Sequence, residues 1–394
     1  MPGIPHRPGR TRTLFVVAAG TVIAALLAAI GAVLVDRVLG DRRPVEGIVG
    51  SEKVAFFEDE RVVERFGELG YEVRVRPRGS RLLAEEPGDA DFVSPGSRHL
   101  AERARELNGA TAEYQPFSTP MVLLAYEPMV RALEGAGVAR RAEDGAWEFD
   151  MAAYLELTEE RTRWRDLPGD SVSSSNRNEV LIRTTDPRTS NSAAMYVAVL
   201  SYLLNGEEAV SPGPADREIV DTLSRLFLAQ GQPPESSQQP FEQFRDLGAG
   251  HTPLVWVYES QYVHAMVEGP APADGAVVLY PGPTVYAEHT VVPLTGAGDE
   301  VGRLLTGDAE LQALAAGHGF RTEDTRYFQD LVDEHGLPVR TQVADVVHPP
   351  AYEALEALLT GIEDAYTSSG MRPPADDGED AGRAGGGAAA GGAG

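Results

Sequence analysis

Four short turns carry the side chains best suited to hold a polar molecule. They are Gly50-Ser51-Glu52-Lys53, Val93-Ser94-Pro95-Gly96-Ser97, Thr189-Ser190-Asn191-Ser192 and Tyr258-Glu259-Ser260-Gln261. Each follows a run of strand character and opens a run of helical character. Hydroxyls donate and accept without charge, and the first turn of a helix leaves its backbone N–H groups unpaired. Any one of these serines is explained equally well as a helix cap. Together, however, the four turns lie at strand C-termini, where open α/β sheets bind their ligands. Of 34 lysines and arginines, only residue 53 is a lysine. It sits near a helix N-terminus, where a cation is mildly disfavoured. Two readings stay open. The ammonium turns into the ligand site, to meet an anionic group or to pin Glu259 or another acid across it. Or it is a surface lysine paired with Glu52, Glu58 or Asp59.

Other chemistries find less support. There are no cysteines, so disulfides, thiolate metal sites, cysteine nucleophiles and a lipid-bearing cysteine are excluded. No two of the eight histidines have the helical i, i+4 spacing of a zinc site. The chain has no G-x-S-x-G elbow and no Walker loop. His318 precedes Gly319 and Phe320 and reads as part of a helix stop. Asp186 and Glu259 could pair, but nothing in the sequence sets their separation. No enzyme activity, cofactor or metal is expected. The net charge of −26 argues against nucleic acid.

The elements that must position the turns alternate. Strand character is found at residues 45–49, 71–77, 89–95, 119–128, 179–186, 253–260 and 276–284. Helical periodicity falls between them, notably at residues 193–206, 215–231, 300–307 and 308–320. Such alternation predicts βαβ units, a mostly parallel sheet and an α/β class.

The two ends differ from this body. Residues 14–35 run 22 positions without a charge, enough to cross a bilayer. Arg7, Arg10 and Arg12 precede them, and the run ends in bulky Val33, Leu34 and Val35. An uncleaved signal anchor is preferred to a cleaved signal. It places the protein in the cell membrane as a single-pass chain with its body extracytoplasmic. Residues 367–394 lack aromatic residues, are rich in Gly and Ala, and read as a disordered tail.

Taken in order, GSEKVAFFEDERVVERF, GDADFVSPGS, TTDPRTSNSAAMYVAVLSYLLNG, VWVYESQYV, YPGPTVYAEHTVVPL and LLTGDAELQALAAGHGFRTED resemble a known family. It is that of the bacterial extracellular solute-binding proteins of type 2 fold, used with ABC importers. The resemblance covers most of residues 45–325, with Thr322 where the family usually has proline. It implies two α/β lobes joined by two crossover strands. Residues 1–43 would be a cytoplasmic stub and anchor, 44–120 the first part of lobe 1, 121–284 lobe 2 with the crossovers, and 285–366 the rest of lobe 1. Position by position, it implies that Ser51, Lys53, Ser94, Ser97, Ser118, Thr119, Ser190, Asn191, Ser192 and Tyr258 face the cleft. The implied function is capture of a small polar or anionic solute, such as an oxyanion, for a membrane permease. Glu52, Glu58, Asp59 and Glu259 flank the loops and disfavour an anion unless they point away. The anchor raises an alternative: a membrane-tethered sensor or cell-envelope interaction protein that reuses the binding fold.

Overall fold

The computed structural model describes residues 42–371 apart from Ala84 and residues 170–174. The expected anchor at 14–35 and the Gly/Ala-rich segment from 372 onward lie outside the described residues. Among the described residues, no helix is long and apolar enough to cross a membrane.

The strands are β1 (Arg43–Val49), β2 (Tyr71–Pro77), β3 (Phe92–Ser94), β4 (Tyr114–Tyr126), β5 (Ala139–Arg141), β6 (Trp147–Asp150), β7 (Leu254–Tyr258), β8 (Ala276–Gly282), β9 (Tyr286–Pro293) and β10 (Arg321–Thr322). They follow the order β2-β1-β3-β9-β4-β8-β6-β5, with β7 and β10 also on β4. β1 lies parallel to both β2 and β3. Its inner residues Val45, Ile48 and Val49 are buried, as expected of a strand covered on both faces. Gly47 leaves room for the Phe92 ring, which would lie 2.2 Å from a Cβ there.

β4 joins the lobes. Its first half pairs with β9, matching Ser118 to Glu288. Its second half pairs with β7 on one side and β8 on the other, so Leu123 faces both Trp256 and Leu279. The unbroken apolar run Met121–Tyr126 is buried throughout, because this half lies inside the second lobe. β8 and β9 return the chain to the first lobe. Residues 337–351 then make a third passage. Thr284 bridges Val346, donating its N–H to the Asp345 carbonyl at 2.9 Å and accepting from Val347 N at 2.8 Å.

The sheet is not mostly parallel as expected: six of its nine pairings are antiparallel, because β4, β8 and β9 run back and forth between the lobes. Two places along the chain also differ from the sequence reading. Residues 179–186 form no strand. Their backbone groups bond to separate partners instead: Ile182 N donates to the Tyr154 hydroxyl, Arg183 N to Leu254 O, Thr184 N to Gln230 Oε1 and Asp186 N to Pro234 O. An apolar run with its polar groups shared in this way meets the pairing requirement without a ladder. The second difference is the helix Tyr352–Ser368. The sequence placed it with lobe 1 and began a disordered tail at 367. The helix continues to Ser368, and Leu355, Leu358, Leu359, Ile362 and Tyr366 pack into the core of residues 121–287. Its seat is formed by the helices Asn191–Leu204 and Arg217–Leu228. Gly361 is at the closest approach, where a Cβ would lie 2.7 Å from Val220 Cγ1.

Leu358→Ala tests this packing in the full chain. The side chain is fully buried, so chemical denaturation should show a loss of about 2–5 kcal/mol. A loss within the error of the wild type would mean that the helix does not complete the second core.

Candidate functional site

The turns named from the sequence meet at the seam between the lobes. After β1, Gly50 N donates to Ser94 O at 3.3 Å, which fixes the first two turns against each other. Ser51 Oγ lies 3.0 Å from Ser237 Oγ in the second lobe. Asn191 spans the seam, donating from Nδ2 to Gly96 O at 2.9 Å and to the Tyr258 hydroxyl at 3.3 Å. Position 96 has to be glycine for this contact, since a Cβ would lie 2.8 Å from Asn191 Nδ2.

At the centre lies a charged cluster. The Lys53 side chain is fully buried and pairs with the carboxylate of Glu52. Lys53 Nζ is 3.1 Å from Nδ1 of His289, which in turn lies 3.4 Å from Glu52 Oε1. His289 comes from β9, opposite Phe117 on β4, and its ring packs against Phe117, Phe320 and Tyr258. Burial by itself raises the Glu52 carboxyl, but the Lys53 ammonium and the His289 ring outweigh it and hold the group well below the carboxylate range. Burial pulls the Lys53 ammonium down, against the opposing pull of Glu52. Burial and the adjacent ammonium together lower His289 to about 4. The cluster is thus an ionised pair beside a neutral imidazole.

The other named residues divide. Ser192 is buried next to Asn191, and its carbonyl accepts from Trp256 Nε1. Ser190 is a cap: its hydroxyl accepts from Ser192 N at 3.2 Å and from Thr185 Oγ1 at 2.8 Å. Thr119 is buried and accepts from Ser260 N across the seam. Ser97 holds the N-cap position of the helix Arg98–Asn108 but makes no capping bond. It lines an open groove of about 430 Å³ with Ser118, Tyr286, Glu288 and His348. The structure therefore places Ser51, Lys53, Asn191, Ser192 and Tyr258 at the closed seam, and Ser97 and Ser118 in the groove.

Of the flanking acids, only Glu52 enters the centre. Glu58 is exposed. Asp59 caps the helix Glu60–Glu68. Glu259 is buried but accepts from Arg321 at 2.7 Å and from the Tyr280 hydroxyl at 2.6 Å. Asp186 is bound by Arg188, so the two acids belong to separate ion pairs. Lys53 is buried, as the first reading of it required, yet its partner is the neighbouring Glu52, as in the second. His289 escaped sequence reasoning. Its only signal was a lone histidine in an apolar crossover run.

Two measurements test the central cluster. Lys53→Met strands a buried carboxylate and should cost about 3–5 kcal/mol, while adding Glu52→Gln should recover part of that loss. Additive losses would show that the two charges are not coupled. The second is pH. His289 falls to about 4 from 6.5 on folding, so the unfolded chain binds the extra proton between those values. Stability is therefore complete above pH 6.5 and falls as pH drops toward 4, by on the order of 3 kcal/mol from this residue. His289→Gln should flatten that part of the stability curve, and an unchanged slope would exclude the assignment.

No known family profile matches the chain, and no curated protein matches it. Solved structures do. The iron-bound protein HitA of Pseudomonas aeruginosa superposes with a TM-score of 0.50 at 12% identity, over 82% of this chain and 99% of that one. The ABC substrate-binding protein Lmo0181 of Listeria monocytogenes, in complex with cycloalternan, gives 0.50 at 13% identity, over 84% and 100%. The sulfate-binding protein SubI of Mycobacterium tuberculosis gives 0.47 at 14% identity, over 77% and 93%. At such identities the likeness concerns the fold. With its two lobes, its shared β4 and its return through β8 and β9, this chain has the type 2 fold of the periplasmic solute-binding proteins.

Proposed function

We propose that this protein is a membrane-anchored extracytoplasmic solute-binding protein, not an enzyme, that captures a small polar solute between its lobes for an ABC-type importer. One observation carries the reading. Polar groups from both lobes converge on one seam, and among them Asn191 Oδ1, Ser192 Oγ, Ser260 Oγ and His289 Nε2 are buried without a hydrogen-bond partner in the protein. Buried polar atoms are nearly always paired, so these are groups suited to a solute. The adjoining groove has the size of a small-molecule site. The charged-free run at residues 14–35 supports the anchor.

The central cluster bears on the kind of solute. Lys53 is committed to Glu52, so an incoming anion meets a buried carboxylate before it meets a free ammonium. This favours an uncharged polar solute, such as a sugar or an amide, over an oxyanion. The test is a thermal-shift and calorimetry screen of the full chain in detergent, with sulfate, molybdate and tungstate in one arm and neutral sugars and amides in the other. A neutral solute should stabilise the protein, and Asn191→Ala or Ser192→Ala should weaken it by about 1–3 kcal/mol. Binding by an oxyanion alone would overturn the preference for a neutral solute. Binding unaffected by both variants would remove the seam as the site.

The second reading, a tethered sensor or envelope interaction protein, is favoured by a different observation. Besides the two crossovers, residues 337–351 join the lobes, and Arg81 reaches Glu356 and the Pro187 and Arg188 carbonyls across the seam. Such ties favour a fixed body. Small-angle scattering separates the two readings. A capture protein should shrink on saturation with the stabilising solute, and an unchanged radius of gyration favours the fixed body.

A further inference from the structure

At a second place along the seam, two histidines from different lobes lie face to face. His264 belongs to the helix Glu259–Val267 of the second lobe, and Glu268 caps that helix four residues later. That spacing puts both side chains on one face. His318 caps the helix Ala309–Gly317 of the first lobe. The two imidazoles stack with centroids 4.4 Å apart and planes 14° from parallel. One ligating atom from each of His264, Glu268 and His318 lies within 4.8 Å of the other two.

Two further observations point to a ligand. His264 Nδ1 is buried and has no hydrogen-bond partner in the protein. His318 Nε2 lies 2.8 Å from Asp59 Oδ2. Donation there leaves Nδ1 of His318 with a free lone pair, and a carboxylate behind an imidazole is the usual support of a metal-bound histidine. Asp59 is itself fixed by Arg61 through its Nε at 3.0 Å and Nη2 at 2.6 Å. Arg61 also donates to Glu268 Oε2 at 2.6 Å, which leaves the second oxygen of Glu268 for a cation.

We propose that His264, Glu268 and His318 form a binding site for a divalent transition metal that ties the two lobes together, with Asp59 orienting His318. Two imidazoles and one carboxylate are a donor set for Zn²⁺ and its neighbours, not for Ca²⁺ or Mg²⁺. No pair of histidines at i, i+4 marks this site in the sequence. Here the i, i+4 pair is His and Glu, and the second histidine arrives from the other lobe.

The test uses the full chain in detergent, stripped with EDTA and titrated with ZnCl₂ in a calorimeter, with MgCl₂ as the comparison. One zinc should bind saturably and raise the melting temperature, and magnesium should do neither. His264→Gln and His318→Gln should each weaken zinc at least about tenfold, and Asp59→Asn about tenfold through His318. Melting curves of the EDTA-stripped variants check that they fold. X-ray absorption at the zinc edge of the wild type gives an answer even if a variant does not fold: two imidazole ligands are expected. Absence of saturable binding, binding unchanged in both histidine variants, or a spectrum without two imidazoles would overturn the site.

Discussion

The ion pair of Glu52 and Lys53, shut away from solvent beside His289, is the constraint around which the seam is built. Taking a carboxylate or an ammonium out of water costs several kcal/mol per ion, and each group offsets that cost only while the other stays in place. Both sit on the one-turn helix Ser51–Lys53 that follows β1, so the pair forms locally. His289 does not. It reaches the pair only when β9 lies in register on β4, with Phe117 opposite it. Gly50 makes the geometry possible, since a Cβ there would come 2.4 Å from the Glu52 carboxylate. The first turn after β1 thus carries its own anion, already matched to its own cation.

The same device recurs around the seam. Glu259 is held by Arg321 and Asp186 by Arg188, and in each case the pair is buried. The chain has net charge −26, and among the described residues its fully buried acids, Asp186 and Glu259, each have an arginine alongside. The loops between these pairs keep neutral hydroxyl and amide groups as their remaining polar lining. At the seam, then, charge is settled within the chain, while Asn191 Oδ1, Ser192 Oγ and His289 Nε2 are among the buried polar atoms left without a partner.

Much of this was legible in the sequence where a pattern is local. The alternation of YEVRVRP gave β2 at its observed bounds, and the apolar run of residues 119–128 marked the half of β4 that lies in the second lobe. The turn TSNS was found because a helix start has a chemical signature, and Ser190 carries it out. What the sequence concealed depends on distant partners. EVLIRTTD has strand composition, but Tyr154, Gln230, Leu254 and Pro234 take its backbone bonds one at a time. The periodicity of residues 352–368 shows an apolar face without saying which lobe it covers. Lys53 stood out as the only lysine, yet its choice between Glu52 and more distant acids was fixed by burial, which composition does not report.

The third passage between the lobes has a consequence for the order in which the protein is made. Neither hydrophobic core is contiguous in the chain. In the first lobe, β3 waits for β9, so Phe92 meets Pro293 only after two hundred residues have followed it. In the second, the core begun at Met121 is finished by Leu355 to Tyr366. A chain emerging from a ribosome holds the first core unfinished until Phe320 is free, and the second until the helix Tyr352–Ser368 is. Apolar surface from both halves stays open for most of that time, the condition in which nascent chains aggregate and need holding. The helix Tyr352–Ser368 then acts as a latch: its arrival turns a long vulnerable intermediate into a finished molecule in one late step.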